Sequence, residues 1–252
     1  MLERLPSLKL VACSRGGPVN VDVKAAQKRG VQVVRAPGRN ASAVAEFTIG
    51  AILTETRKIR MGHAALRNGE WRGDLYRADT TGRELSEMTV GVVGYGKIGT
   101  RVVKILQAFG CRILVCDPYV QLNPTDDAAG REQVPFETLL AQSDVVTRHA
   151  RGSEETTQMI NKDSLSKMKS DALLVNTARG PLCNYDDLYE ALSNGTIGSA
   201  MLETFSVEPT PSDWPLLQLD NVTLTPHIAG ASVKTAQYAA QVLAEDVRNY
   251  MT

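Results

Sequence analysis

The fold of this chain is decided by one stretch, Thr89-Val90-Gly91-Val92-Val93-Gly94-Tyr95-Gly96-Lys97-Ile98-Gly99. Its apolar run predicts a buried parallel strand, and the glycines open a helix with one apolar face formed by Ile98, Val102, Ile105, Leu106 and Phe109. Gly94 permits the tight turn, Gly96 lets the backbone approach a pyrophosphate, and Gly99 lets the helix pack close to the strand. The pattern predicts a helix N-terminus that binds phosphate groups.

The next predicted strand, Arg112–Cys116, ends on Asp117. Asp117 follows Gly94 by about 20 residues, the spacing at which an acidic side chain binds an adenosine ribose. A carboxylate accepts hydrogen bonds from free ribose hydroxyls and repels a 2′-phosphate, and Pro118-Tyr119 supplies no arginine to hold one. The sequence therefore predicts NAD, rather than NADP, as the cofactor.

Composition excludes several classes of protein. The 252 residues are 43% hydrophobic, and 28 basic side chains balance 28 acidic ones without a basic run, so neither a nucleic-acid nor a membrane surface is indicated. The four cysteines show no metal-type spacing, which predicts reduced thiols in a cytoplasmic protein without a metal site.

Strands and helices alternate from Thr89 onward, which predicts an α/β fold with a Rossmann-type doubly wound parallel sheet. The further predicted strands are Asp144–Thr147, Ala172–Asn176, Gly198–Leu202 and Val222–Leu224, and residues 123–133 are predicted to be a polar connection. Ligands bind beyond the carboxyl ends of parallel strands. We therefore expect the polar residues after the strands to meet at one edge: Asp117, His149, Arg179, Glu203, Glu208 and His227.

Two helical patterns and a βαβ unit precede the sheet. Residues 1–40 predict two strands around a short helix, and the turn Ser14–Asn20 contains Arg15, Gly16 and Gly17. That turn is either an anion site or an ordinary glycine turn. A helix capped by Ser42 is predicted to run to Ile59 and then to continue, or resume, to about Arg67.

The motifs together resemble the D-isomer-specific 2-hydroxyacid dehydrogenases, which include phosphoglycerate dehydrogenases and glyoxylate/hydroxypyruvate reductases. The similarity is most specific in Val93–Gly99, Asn176–Leu182, Val207-Glu208-Pro209 and Leu224–Ser232. The resemblance implies three domains or segments: part of a flavodoxin-like substrate domain at 1–40, an NAD-binding Rossmann domain with a dimerisation segment at 41–231, and a helix returning toward the substrate domain at 232–252. It also implies a homodimer joined through residues 41–83.

The resemblance assigns roles to individual residues. Arg179, Glu208 and His227 match the catalytic arginine, glutamate and histidine of the family, and Gly16-Gly17, beside Arg15, matches the loop that holds the substrate carboxylate. His149 is expected to line the cofactor site. The remaining expected NAD contacts are Gly94, Tyr95, Gly96, Lys97, Ile98, Gly99, Asp117, Ala150, Thr177, Ala178, Glu203 and Gly230.

These residue types suit the interconversion of a small D-2-hydroxy acid and its 2-keto acid by an NAD-dependent oxidoreductase. A histidine exchanges the hydroxyl proton near neutrality, a carboxylate stabilises the imidazolium, and an arginine binds the substrate carboxylate as a planar fork. Two rivals stay open. Formate dehydrogenases share the fold, although a glutamine typically replaces Glu208 there, and an NAD-sensing interaction protein would bind the cofactor without turnover.

Three departures from the family pattern are visible. Glu203 stands where aspartate is usual near the nicotinamide amide, and Arg148 and Arg151, which flank His149-Ala150, either serve a more anionic substrate or lie on the surface, the reading favoured here. Family members also carry roughly 60–80 more residues at the start. The resemblance therefore implies a chain without the first part of the substrate domain, which binds NAD but turns over hydroxy acids weakly.

Overall fold

A computed structural model describes residues 4–17, 20–123 and 130–251. The chain divides into two compact units, one formed by residues 44–229 and the other by the residues up to 43 together with those from 230 onward. Two predicted segments lie partly outside the described residues: Pro18-Val19 of the first glycine turn, and 124–129 of the polar connection.

The larger unit is built on a parallel sheet of seven strands in the described chain, in the order β5-β4-β3-β6-β7-β8-β9. Reversal of the strand order at β3 and β6 confirms the predicted doubly wound α/β fold. The strands are β3 (Thr89–Val93), β4 (Arg112–Cys116), β5 (Arg131–Gln133), β6 (Val145–Arg148), β7 (Leu173–Asn176), β8 (Ser199–Leu202) and β9 (Val222–Leu224).

The central strands are buried on both faces, as expected for a parallel sheet covered by helices. Val92 and Val145 belong to the apolar cluster on one face, and Val93 and Val146 belong to the cluster on the other. The helices of this unit are α2 (Ala41–Thr56, which begins in the other unit), α3 (Ile59–Arg67), α4 (Gly99–Gln107), α5 (Phe136–Gln142), α6 (Lys162–Ser166) and α7 (Tyr185–Ser193).

Three details of the sequence prediction were wrong. Residues 131–133 form a strand rather than a connection, and its charged side chains gave no apolar signal because it lies at the sheet edge. Ser42 lies inside α2 rather than capping it. Phe109 lies beyond the end of α4 and is 37% exposed, whereas Val103, which was not predicted to face the core, is fully buried.

The long helical pattern after residue 41 stops and resumes between α2 and α3, because Lys58 adopts a left-handed φ of 57°.

The smaller unit holds two parallel strands, β1 (Leu10–Cys13) and β2 (Gln32–Arg35), joined through α1 (Val23–Lys28). Asp22 caps α1 by accepting a hydrogen bond from the amide of Ala25 at 2.9 Å. The C-terminal helix α8 (Val233–Met251) packs against both strands. No helix within the described ranges is long and apolar enough to cross a membrane.

Candidate active site

The glycine turn after β3 is packed tightly on one side and open on the other. Gly94 has a φ of 93°, and a Cβ there would lie 2.6 Å from the amide nitrogen of Ala150. A Cβ on Gly99 would lie 2.0 Å from the carbonyl oxygen of Gly94, so only glycine lets α4 start here. Around a Cβ on Gly96, by contrast, the described chain places no atom within 4 Å. The turn therefore leaves its outer surface free at the N-terminal end of α4.

Asp117 lies directly beside this turn. Its carboxylate accepts hydrogen bonds from the amides of Tyr95 at 2.7 Å and Tyr119 at 2.9 Å. The ring of Tyr95 is held in turn, because Arg131 donates to its hydroxyl at 2.9 Å. These contacts fix a carboxylate at the end of β4, next to the open face of the glycine turn.

His149 and Ala150 follow β6 and form the opposite wall of the turn through their contact with Gly94. His149 is 9% exposed, and its Nε2 lies 3.1 Å from the hydroxyl of Thr147. Burial, together with the positive charge of Arg148, lowers the pKa of His149 to about 3. The imidazole is therefore neutral across the physiological pH range, which suits a lining residue better than a proton donor.

A histidine–carboxylate pair lies beyond β8 and β9. His227 Nδ1 is 2.7 Å from Glu208 Oε2, and Glu208 Oε1 accepts a hydrogen bond from the amide of Phe205 at 2.8 Å. Burial tends to raise the pKa of Glu208, but the hydrogen bonds from His227 and Phe205 and the charges of His227 and Arg179 lower it overall. His227 has a left-handed φ of 52°, which is uncommon for histidine. The structure thus pairs His227 with Glu208 and places the charge of Arg179 near enough to act on Glu208.

The turn that carries Arg179 and the loop that carries Glu208 touch through their backbones. A Cβ on Gly180 would lie 2.0 Å from the carbonyl carbon and oxygen of Phe205. The Phe205 ring packs edge-on against Trp214, with the ring centroids 5.6 Å apart, and Trp214 contacts Tyr185 in the same way at 5.3 Å. Close backbone packing and an aromatic cluster therefore fix the Arg179 turn relative to the Glu208 loop.

Thr177 and Ala178 are buried in the same turn. Thr177 Oγ1 lies 2.9 Å from the hydroxyl of Thr48 in α2, which itself donates to the carbonyl of Val44. Thr48 is the partner of a predicted site residue, and the sequence did not reveal it because it sits within the apolar pattern of a helix. A threonine on the apolar face of a predicted helix is the one signal that would have identified it, because a buried hydroxyl needs a hydrogen-bond partner.

Glu203 points inward rather than toward solvent. It is 1% exposed, and its carboxylate accepts a hydrogen bond from the amide of Ala229 at 2.5 Å. Burial raises the pKa of Glu203 despite that bond and the nearby charge of His227. The longer side chain therefore reaches the backbone just after His227.

We expect replacement of Glu203 by glutamine to change how stability depends on pH. Because the folded pKa of Glu203 lies above its ordinary value of 4.5, the wild-type chain loses stability as pH rises from 4.5 through the folded pKa. The variant lacks this loss, so its melting temperature should gain on that of the wild type between pH 4.5 and pH 8. Thermal melts of both proteins at pH 4.5 and pH 8 check this. If the melting temperature of the variant minus that of the wild type stays constant or falls between the two pH values, the prediction is wrong.

The remaining predicted residues are divided between the two units. Gly230 belongs to the smaller unit, where a Cβ would lie 2.6 Å from Asn40 Nδ2. Arg15, Gly16 and Gly17 follow β1 in that unit, and the carbonyl of Arg15 accepts a hydrogen bond from the amide of Ala36 at 3.2 Å. Lys97 is exposed and Ile98 half-buried at the open face of the glycine turn.

Of the two additional arginines, only Arg151 is at the surface. Arg148 is fully buried, contrary to the prediction, because the end of β6 lies between β3 and β7. In the part of the chain that is described, no cluster of histidine, cysteine and acidic residues could hold a metal ion.

Comparison with known proteins decides the family. Residues 49–229 match the model of the D-isomer specific 2-hydroxyacid dehydrogenase NAD binding domain. The chain belongs to this family. Similar dehydrogenases include the putative 2-hydroxyacid dehydrogenase YoaD of Bacillus subtilis, 39% identical over 98% of this chain and 71% of YoaD, and the glyoxylate reductase of Thermofilum pendens, 38% identical over 98% of this chain and 73% of the reductase.

Among solved dehydrogenase structures, a D-lactate dehydrogenase of Aquifex aeolicus complexed with NAD and lactic acid superposes with a TM-score of 0.87 at 29% identity. The match covers 99% of this chain and 78% of that one. As a member of the dehydrogenase family with its NAD binding domain, this chain uses NAD as its cofactor. The open face at Gly96 and the fixed carboxylate of Asp117 fit a dinucleotide.

Proposed function

We propose that this chain interconverts a small D-2-hydroxy acid and its 2-keto acid, with His227 as the acid and base. The observation that carries the proposal is the 2.7 Å contact between His227 Nδ1 and Glu208 Oε2. A carboxylate on one ring nitrogen orients the imidazole and leaves Nε2 to exchange a proton with the substrate oxygen. Bound NAD supplies the hydride acceptor.

Arg179 is proposed to bind the substrate carboxylate. Its guanidinium donates to the carbonyl of Ala178 at 2.7 Å and is otherwise exposed, and its charge acts on Glu208. A planar fork of donors matches a carboxylate and also polarises a neighbouring keto group. Arg15 and the Gly16-Gly17 turn are proposed to contribute further substrate contacts.

The phosphates of NAD are proposed to lie over Gly96, with the adenosine ribose on Asp117. The residues proposed to complete the cofactor site are Gly94, Tyr95, Lys97, Ile98, Gly99, His149, Ala150, Thr177, Ala178, Glu203 and Gly230. The N-terminal end of α4 favours negative charge, and the carboxylate of Asp117 disfavours a 2′-phosphate.

We expect Gly96→Ala to weaken NADH binding at least about tenfold while changing the unfolding free energy by less than about 0.5 kcal/mol. The added methyl has open space in the protein but would occupy the surface proposed for phosphate. NADH fluorescence titration and thermal melts measure the two effects. Gly50→Ala, an equally open glycine in α2, is the matched control and should leave NADH binding unchanged.

Stopped-flow mixing of the protein and NADH with a panel of 2-keto acids tests the proposed reaction. We expect NADH to be oxidised by at least one small 2-keto acid and to be formed from NAD by the corresponding D-2-hydroxy acid, not the L-isomer. Binding that quenches NADH fluorescence without oxidation for any acid would instead support an NAD-sensing protein. The presence of Glu208 beside His227 argues against a formate dehydrogenase.

We also propose that the chain forms a homodimer through residues 41–83. The segment after α2 exposes large apolar side chains, with Trp71 86%, Tyr76 96% and Leu66 61% exposed. Light scattering during size-exclusion chromatography would reveal the dimer.

Residues 1–40 with 232–252 are proposed to belong to the substrate domain of the enzyme. The four cysteines, all described and all free, support a reducing, cytoplasmic location.

A further inference from the structure

Arg148 is a buried cation at the centre of the sheet. It ends β6, between Val93 of β3 and Asn176 of β7, and none of its surface is exposed. Each of the preceding residues of β6 is apolar or a small hydroxyl residue, so a guanidinium is not what the strand needs for packing. Burial of a charge is unfavourable unless it is well paired.

The partners of Arg148 are all neutral acceptors in one turn. Nη1 donates to the carbonyl of Leu182 at 2.8 Å, and Nη2 donates to Asn176 Oδ1 at 3.0 Å and to the carbonyl of Arg179 at 3.3 Å. Nε has no partner among the described residues, and no described carboxylate forms an ion pair with the guanidinium. All the hydrogen bonds that the Arg148 guanidinium donates to described residues therefore go to the segment from Asn176 to Leu182.

These contacts hold both ends of a short turn. Gly180–Leu182 forms a single 3-10 turn, and the carbonyls of Arg179 and Leu182 lie at its two ends. Asn176 adds to the same network, since its Oδ1 also accepts from the amide of Ala178 at 3.2 Å. Arg148 thus restrains the backbone on either side of Arg179 while its own side chain stays inside the protein.

We propose that Arg148 is a positioning residue that fixes the Asn176–Leu182 turn so that the Arg179 guanidinium is presented to the substrate carboxylate. This inference rests on the role proposed for Arg179. A rigid fork that spans several acceptors suits arginine and not lysine, whose ammonium is a single point of donation. An apolar side chain would fill the space but leave the two carbonyls without this donor.

Hydrogen exchange tests the positioning without any ligand. In Arg148→Met we expect the amides of Ala178 and Cys183 to exchange at least about tenfold faster, while amides of β3 and β4 keep their wild-type rates. In Arg148→Lys we expect the same amides to exchange faster than in the wild type, but by a smaller factor. This variant replaces Arg148→Met in the test if the methionine variant folds poorly. Arg112→Met, which removes an exposed arginine at the start of β4, is the matched control. Unchanged exchange in the turn would overturn the proposal.

A double-mutant cycle tests whether the positioning acts through Arg179. The probe is oxamate, an isostere of a 2-keto acid, titrated into the protein–NADH complex. We expect Arg148→Met to weaken oxamate binding at least about tenfold, and less than about twofold when Arg179 is already methionine. Equal effects in both backgrounds would overturn the proposal. If Arg179→Met alone leaves oxamate binding unchanged, the proposed function fails instead, and the exchange result still decides whether Arg148 holds the turn.

Discussion

His227→Asn should lower the rate of NADH oxidation by a 2-keto acid about 10³-fold while leaving NADH affinity within about twofold of wild type. A positioned acid or base contributes about 10²–10⁴ to a rate, and His227 is the proposed proton donor. Asparagine suits the test because it tolerates the left-handed backbone that His227 adopts at a φ of 52°. Single-turnover kinetics and NADH titration separate chemistry from binding.

Replacement of Glu208, the partner of His227, is the companion test of this prediction. Glu208→Gln keeps a side chain of the same length but removes the negative charge beside the ring, so the protonated imidazole loses its stabilisation. We expect a smaller loss of rate than in His227→Asn, because the imidazole that exchanges the proton is still present. A His227→Asn protein that still reduces 2-keto acids at more than a tenth of the wild-type rate would rule out His227 as the acid.

Gly180→Ala should cost at least about 100-fold in turnover and lower the melting temperature by about 5–10 °C. The new Cβ would lie 2.0 Å from the Phe205 carbonyl, so either the Arg179 turn or the Glu208 loop must move. Overpacking of this kind costs about 1–3 kcal/mol, and misplacing a catalytic group by an ångström costs about 100-fold. Steady-state kinetics and thermal melts measure both effects.

The matched control is Gly62→Ala in α3, where the nearest described atom to the new Cβ is Leu75 Cδ1 at the ordinary contact distance of 4.0 Å. This helical glycine should tolerate alanine without loss of stability or turnover. If Gly180→Ala were as active as Gly62→Ala, the backbone contact with Phe205 would not be what aligns the two catalytic side chains.

The sequence predicted most of what depends on local chemistry. The strand, glycine turn and helix around Gly94, Gly96 and Gly99 were predicted because the motif has a local basis: Gly94 takes a left-handed φ, and Gly99 packs against the Gly94 carbonyl. The parallel order then predicted that residues as distant as Arg179 and His227 would meet, because all parallel strands end at the same edge. The prediction was wrong where the pattern is weakest, at the charged residues 131–133, which form an edge strand rather than the predicted connection.

The amino-acid sequence by itself determined the α/β fold and the NAD cofactor, which follow from turns, periodicity and spacing along the chain, and its motifs carried the resemblance to the dehydrogenase family. Only the tertiary structure decided that Arg148 lies beneath the Arg179 turn and that Glu203 binds the backbone after His227. A charged side chain predicts a surface position because burial is costly. Whether neighbouring strands supply enough acceptors to offset that cost depends on residues far away in the sequence.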